Sequence, residues 1–164
     1  NSSSSIFWTE KEAFRLSSTF EPDVVLIMLG TNDSRGDNWK GVRPFSEDYR
    51  ELVEHYRSGA SNPRVWLLTP PALFPRGRSQ KVRYGMSESA IHEMCDAIKR
   101  LGPLLGCGVI DINQVTARHP EAFRFDGVHP GRAGAALIAR TVYEVLSGGL
   151  GWNDRARERG AGDG

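Results

Sequence analysis

Apolar positions along the chain follow two alternating rhythms. Residues 23–29 (DVVLIML) are an almost unbroken, β-branched apolar run, preceded by Glu21-Pro22 and closed by Gly30. That pattern predicts a strand covered on both faces, as in a parallel sheet. Residues 64–69 (RVWLLT), stopped by Pro70-Pro71, and residues 108–112 (GVIDI) predict two more strands. Between them the spacing becomes helical. Phe45, Tyr49, Leu52, Val53 and Tyr56 recur at helical intervals over residues 45–57, with Ser46 placed as a cap. Ser87 opens a helix with Ile91, Met94, Cys95, Ile98 and Leu101 along one side. Residues 133–146 carry a stripe of Leu137, Ile138, Val142, Val145 and Leu146. A short helix over residues 9–18 is expected as well, capped by Thr9, with Glu10 and Glu12 in its first turn.

Alternation of helix and strand predicts an α/β architecture, a parallel sheet with helices on both faces. Right-handed crossovers then bring every strand's C-terminal end to one edge of the sheet, where ligands bind. Gly30-Thr31-Asn32-Asp33, Thr69-Pro70-Pro71 and the loop after Ile112 are expected there. No internal repeat or second core is visible. Residues 1–148 read as one domain, and residues 149–164 (GLGWNDRARERGAGDG, after Gly148) as a flexible tail with little to bury.

Composition narrows the partners. The chain has 164 residues, 39% hydrophobic and 25% charged, which suits one globular domain with a real core. Its 21 Lys and Arg against 20 Asp and Glu leave a formal charge of +1, which argues against nucleic acid or an anionic membrane as the main partner. No apolar run approaches the roughly 20 residues of a membrane helix. Cys95 and Cys107 make neither a disulfide framework nor a zinc cluster; they read as buried small hydrophobes, with a single bridge as the alternative. His55, His92 and His119 have no second ligand at zinc spacing, and neither a metal nor an organic cofactor is expected. The chain starts at Asn1 with a serine run, so it is expected to be processed or incomplete at its front end. That leaves the compartment open.

Two short stretches carry chemistry. Asp126-Gly127-Val128-His129-Pro130 places a carboxylate three residues ahead of an imidazole, on a loop entering the last helix. The carboxylate can orient the ring through one nitrogen and leave the other as a general base. In Leu29-Gly30-Thr31-Asn32-Asp33-Ser34, directly after the strongest strand, Asn32 offers an amide N–H suited to an oxyanion. Each taken alone also fits plain turn chemistry.

Together and in this order, GTND and DGVHPG resemble the SGNH (GDSL-type) hydrolase superfamily, serine esterases on a three-layer, flavodoxin-like sheet. The run PDVVLIMLGTNDS followed by FSEDYRELVEHY is most similar to bacterial GDSL-like acylhydrolases, including carbohydrate and sialate O-acetylesterases. The resemblance implies His129 as base, Asp126 as the acid that holds it, and Asn32 as an oxyanion-hole donor. Asp33 would fix the Asn32 loop. It also exposes a departure. The family's nucleophile lies in a Gly-Asp-Ser block after its first strand, and no Gly-Asp-Ser occurs in these residues. Three of five expected strands are present, so the first two strands and the nucleophile are expected to be missing. Ser2 to Ser5 follow no buried strand, and Ser34 lies on the wrong strand for the role.

The expected activity is therefore hydrolysis of short-chain esters, with O-acetylated carbohydrate as a candidate substrate. Two alternatives stay open: a catalytically inactive remnant or carbohydrate-binding module of the same fold, and a split enzyme whose nucleophile comes from a complementing chain. Trp39, in the loop after GTND, either stacks on a sugar or covers the core. Arg76, Arg78, Lys81 and Arg83 read as a solvated basic loop, with an anionic substrate as the lesser alternative.

Overall fold

The three apolar runs form one sheet. In the computed structural model, which describes residues 12–78 and 81–148, β1 (Val24–Ile27), β2 (Arg64–Leu68) and β3 (Gly108–Ile110) lie in the order β1-β2-β3. Both pairings are parallel, with Val25 opposite Val65 and Trp66 opposite Gly108. A Cβ on Gly108 would sit 2.2 Å from the Trp66 ring, so the missing side chain is what lets the indole lie across β3.

Helices cover both faces. Before β1 comes α1 (Glu12–Thr19), and α2 (Val42–Arg57) and α3 (Glu88–Leu104) follow β1 and β2. A short α4 (Ile112–Thr116) follows β3, and α5 (Arg132–Gly148) ends the described chain. Alternate strand residues point to opposite sides. Val25, Ile27, Val65 and Leu67 join Phe45, Tyr49, Val53, Ile91, Met94 and Ile98 in the larger core. Leu68, Ile110 and Ile112 form the smaller one, against Trp66 and Ile138, Val142 and Val145 of α5. The smaller cluster takes nothing from β1, and Leu26 and Met28 remain 43% and 38% exposed. The expectation that residues 23–29 are covered on both faces is thus met on one face only. The α5 stripe is correspondingly half-buried, and among its described residues only Gly134 is fully buried.

Several boundaries differ from the sequence reading, each for a local reason. Residues 23–29 yield a strand only over Val24–Ile27, because the Leu29 backbone pairs with a side chain instead: the Tyr49 hydroxyl donates to Leu29 O (2.7 Å) and accepts from Leu29 N (3.1 Å). Residues 108–112 shorten because the Asp111 carboxylate accepts from Gln114 N (3.1 Å) and starts α4. Ser46 is not a cap. Gly41 (φ +96°) occupies that position, α2 begins at Val42, and the Ser46 hydroxyl donates back to Val42 O at 2.7 Å. Ser87 does cap α3, accepting from Ala90 N at 3.2 Å. Thr9, Glu10 and the tail over residues 149–164 lie outside the described residues. Cys95 and Cys107 are free and buried rather than bridged; burial pushes the Cys95 thiol up to about 12.

Buried hydroxyls fasten the exits of the strands. The Thr69 hydroxyl donates to Asp111 Oδ1 (2.9 Å) and accepts from Asn113 N (2.8 Å). The Thr116 hydroxyl donates to Ile112 O (2.7 Å) and accepts from Ala72 N (3.0 Å). These bonds tie the segment after β2 to α4, and so set where Ala72 and Phe74 lie. Thr116 is fully buried. Replacing it by Val keeps the shape but leaves the Ala72 N–H without its partner. Thr116→Val is expected to lower stability by about 1–3 kcal/mol, measured by urea unfolding.

Candidate active site

The turn after β1 starts beyond the strand's ladder, which ends at Ile27. Tyr49, 1% exposed, satisfies the Leu29 backbone with its hydroxyl, and burial raises its pKa so that the phenol stays protonated. Gly30 then turns the chain at φ +123°, where a Cβ would come within 3.1 Å of Met94 Sδ. Asn32–Ser34 form one 3-10 turn. Ser34 N donates to Gly30 O (3.1 Å) and Asn38 Nδ2 to Asn32 O (2.9 Å). Asn32 is exposed, while Asp33 and Ser34 are buried beneath it. The Ser34 hydroxyl donates to Thr31 O at 2.7 Å and is 0% exposed, which removes it as a candidate nucleophile.

The second loop is wrapped around a carboxylate. Asp126, 4% exposed, accepts through Oδ1 from Val128 N (2.9 Å) and His129 N (3.0 Å). Its Oδ2 lies 2.7 Å from His129 Nδ1. Gly127 makes this loop possible. Its φ is +72°, its carbonyl accepts from Phe74 N (2.9 Å), and a Cβ there would lie 2.0 Å from Phe74 O. Burial raises the pKa of Asp126, but the hydrogen bonds from His129 N, Val128 N and the ring outweigh it and hold the carboxyl well below its usual range. An ionised Oδ2 can only accept, so His129 Nδ1 carries the proton that it donates there. The other ring nitrogen, Nε2, is left with a lone pair. The His129 side chain is 59% exposed.

Asp126 and His129 are therefore in contact. Among the described residues no hydrogen bond joins Asn32 to either of them, and the link runs through a third segment. Gly36 N donates to Gly85 O (3.2 Å), Ser87 N donates to Ser34 O (2.9 Å), and Arg35 bridges to Met86. The same segment carries Tyr84, whose hydroxyl lies 3.4 Å from Asp126 Oδ2 and whose ring meets the imidazole edge-on at 5.9 Å. Tyr84 has left-handed backbone angles (φ 62°, ψ 17°), which cost a non-glycine residue about 1–2 kcal/mol. Nothing in the local sequence singled Tyr84 out, since it lies about 40 residues from Asp126 and its contacts are purely tertiary.

The remaining candidates are placed as follows. Trp39 is half-buried against the larger core, its ring 5.8 Å from Phe45, which favours its covering role. In the basic loop Arg76 Nη2 donates to Pro120 O (2.5 Å), and the Arg83 guanidinium lies 5.4 Å from the exposed Phe125 ring. His55 rests on Phe14 at 4.4 Å and His119 pairs with Glu121 at 3.0 Å. Among the described residues no cluster of His, Cys, Asp and Glu could hold a metal ion, and no helix is long and apolar enough to cross a membrane.

Known proteins share this arrangement of strands and helices. A lipase/acylhydrolase from Enterococcus faecalis is 24% identical with a TM-score of 0.65, the match covering 87% of this chain and 68% of that one. A carbohydrate acetylesterase from Sinorhizobium meliloti is 18% identical with a TM-score of 0.69, covering 89% and 68%. At these identities the likeness speaks for the fold. An acetylxylan esterase from Xylanibacter ruminicola is 24% identical over 145 residues, 77% of this chain. The chain spans only 29% of that protein's length. Residues 8–137 fit the GDSL-like lipase/acylhydrolase family, and the chain belongs to that family.

Proposed function

We propose that this chain supplies the base, the orienting acid and an oxyanion donor of a serine esterase acting on short-chain esters, with O-acetylated carbohydrate as the substrate class. The observation that carries the reading is the 2.7 Å contact between a buried, ionised Asp126 and the exposed ring of His129. In this reading a serine hydroxyl attacks the ester carbonyl as His129 Nε2 takes its proton. The imidazolium is stabilised by Asp126, which does not itself become protonated. Asn32 donates its amide N–H to the tetrahedral oxyanion. His129 then returns the proton to the departing alkoxide, and a water activated by the same nitrogen releases the acyl group. The substrate class draws support from the acetylxylan esterase and carbohydrate acetylesterase among the similar proteins.

The attacking serine belongs, in this reading, to polypeptide outside these 164 residues, since they contain no Gly-Asp-Ser. That same absence favours a second reading, a non-catalytic carbohydrate-binding module. Aryl acetate hydrolysis separates them. In the full protein Asn32→Ala is expected to lower kcat about 100- to 1000-fold, and His129→Ala to abolish turnover. The 164-residue chain by itself is expected to leave the ester intact; turnover that His129→Ala removes would overturn that. Sugar binding that survives both substitutions but is lost in Trp39→Ala would favour the binding module.

The charge state of Asp126 also predicts a pH dependence. Its carboxyl titrates below the ordinary 3.8 in the folded chain, so folding favours the ionised form. The stability this provides is complete above 3.8 and is lost as pH falls through the lower folded-state value. Asp126→Asn removes the titration. The stability gap between parent and variant is expected to shrink steadily from about pH 4 downward, read from urea midpoints at each pH.

A further inference from the structure

We infer that Tyr84 is a positioning residue for His129, sharing through its hydroxyl the carboxylate oxygen that holds the imidazole and bracing the ring edge-on. The role assigned to the imidazole rests on the reading above; the contacts themselves do not. Asp126 Oδ2 receives two groups, His129 Nδ1 at 2.7 Å and the Tyr84 hydroxyl at 3.4 Å. The Tyr84 ring stands at 74° to the imidazole with centroids 5.9 Å apart, a T-shaped contact that opposes rotation of the histidine ring.

Two observations argue against a merely space-filling tyrosine. Its side chain is not needed for burial, since the residue is 52% exposed. Its backbone sits in the left-handed region, which Gly or Asn would occupy with less strain, and Gly85 next to it is also left-handed at φ +68°. A strained position persists where its surroundings over-determine it. Here they do: Met86 N donates to Arg83 O (3.3 Å), Gly36 N to Gly85 O (3.2 Å) and Ser87 N to Ser34 O (2.9 Å). The turn that presents Tyr84 to His129 is thus hydrogen-bonded to the turn that carries Asn32. One segment sets both halves of the site. Arg83, the neighbouring charge on this segment, is engaged by the Phe125 ring at 5.4 Å, and among the described residues Asp126 and Tyr84 are the ionisable side chains in contact with the imidazole.

The test is an NMR titration of His129 in histidine-labelled full chain, which needs no turnover and so fails or succeeds independently of the esterase reading. In Tyr84→Phe the ring stays and the hydroxyl goes, so the whole charge of Oδ2 falls to the imidazole. The proton affinity of His129 is expected to rise about twofold, moving its midpoint upward by about 0.3 pH unit. Tyr84→Ala is expected to move the midpoint likewise and also to shift the His129 ring resonances, through loss of the aromatic ring current. Tyr84→Asn, which accepts the left-handed backbone, guards against a folding artefact and is expected to match the Ala variant. A His129 midpoint that is unchanged or lower in Tyr84→Phe would overturn the assignment, as would ring resonances that ignore the Ala and Asn substitutions.

Discussion

The site depends on one buried negative charge. Asp126 is almost wholly removed from water, and an unpaired carboxylate there would be prohibitively unfavourable. The loop is therefore wound so that N–H groups converge on it: two from the backbone of Val128 and His129 through one oxygen, and the imidazole Nδ1 through the other. Satisfying the charge and orienting the histidine are the same event. The backbone bonds hold the loop, the loop holds the ring, and the ionised oxygen favours the tautomer with its proton on Nδ1.

The rest of the fold brings that loop to the right edge of the sheet. Parallel pairing places the ends of β1, β2 and β3 side by side. Buried hydroxyls then convert strand ends into fixed points. Tyr49 closes the backbone at Leu29 ahead of the Asn32 turn, and Thr116 fixes Ala72 ahead of Phe74, whose N–H donates to Gly127 O. Each is a polar group placed where the backbone would otherwise lack a partner. Core packing alone would leave these turns free to drift. The hydroxyls give them one geometry.

Legibility in the sequence tracked the range of the interaction. The strands announced themselves because their apolar runs are short, β-branched and bounded by Gly or Pro, and the helices because Tyr49, Leu52 and Val53, or Ile91, Met94 and Ile98, fall on one face. The Asp126–His129 contact was legible for the same reason: three residues on one turn cannot separate two side chains far. Boundaries were less so. Residue 29 left the strand because a tyrosine 20 positions away bonded to it, and residue 112 joined a helix because Asp111 capped it.

The sequence by itself therefore determined the alternating architecture, the parallel sheet and the local pairing of Asp126 with His129, since these follow from periodicity and from contacts within one turn. Only the tertiary structure decided that Ser34 is buried and bonded to its own turn, that Trp39 leans on Phe45, and that Tyr84 stands between the Asn32 turn and His129. Those outcomes turn on groups that are distant along the chain, or on which way a side chain faces. Such encounters are set by how helices and strand ends pack, and one residue's neighbours in sequence carry no record of them.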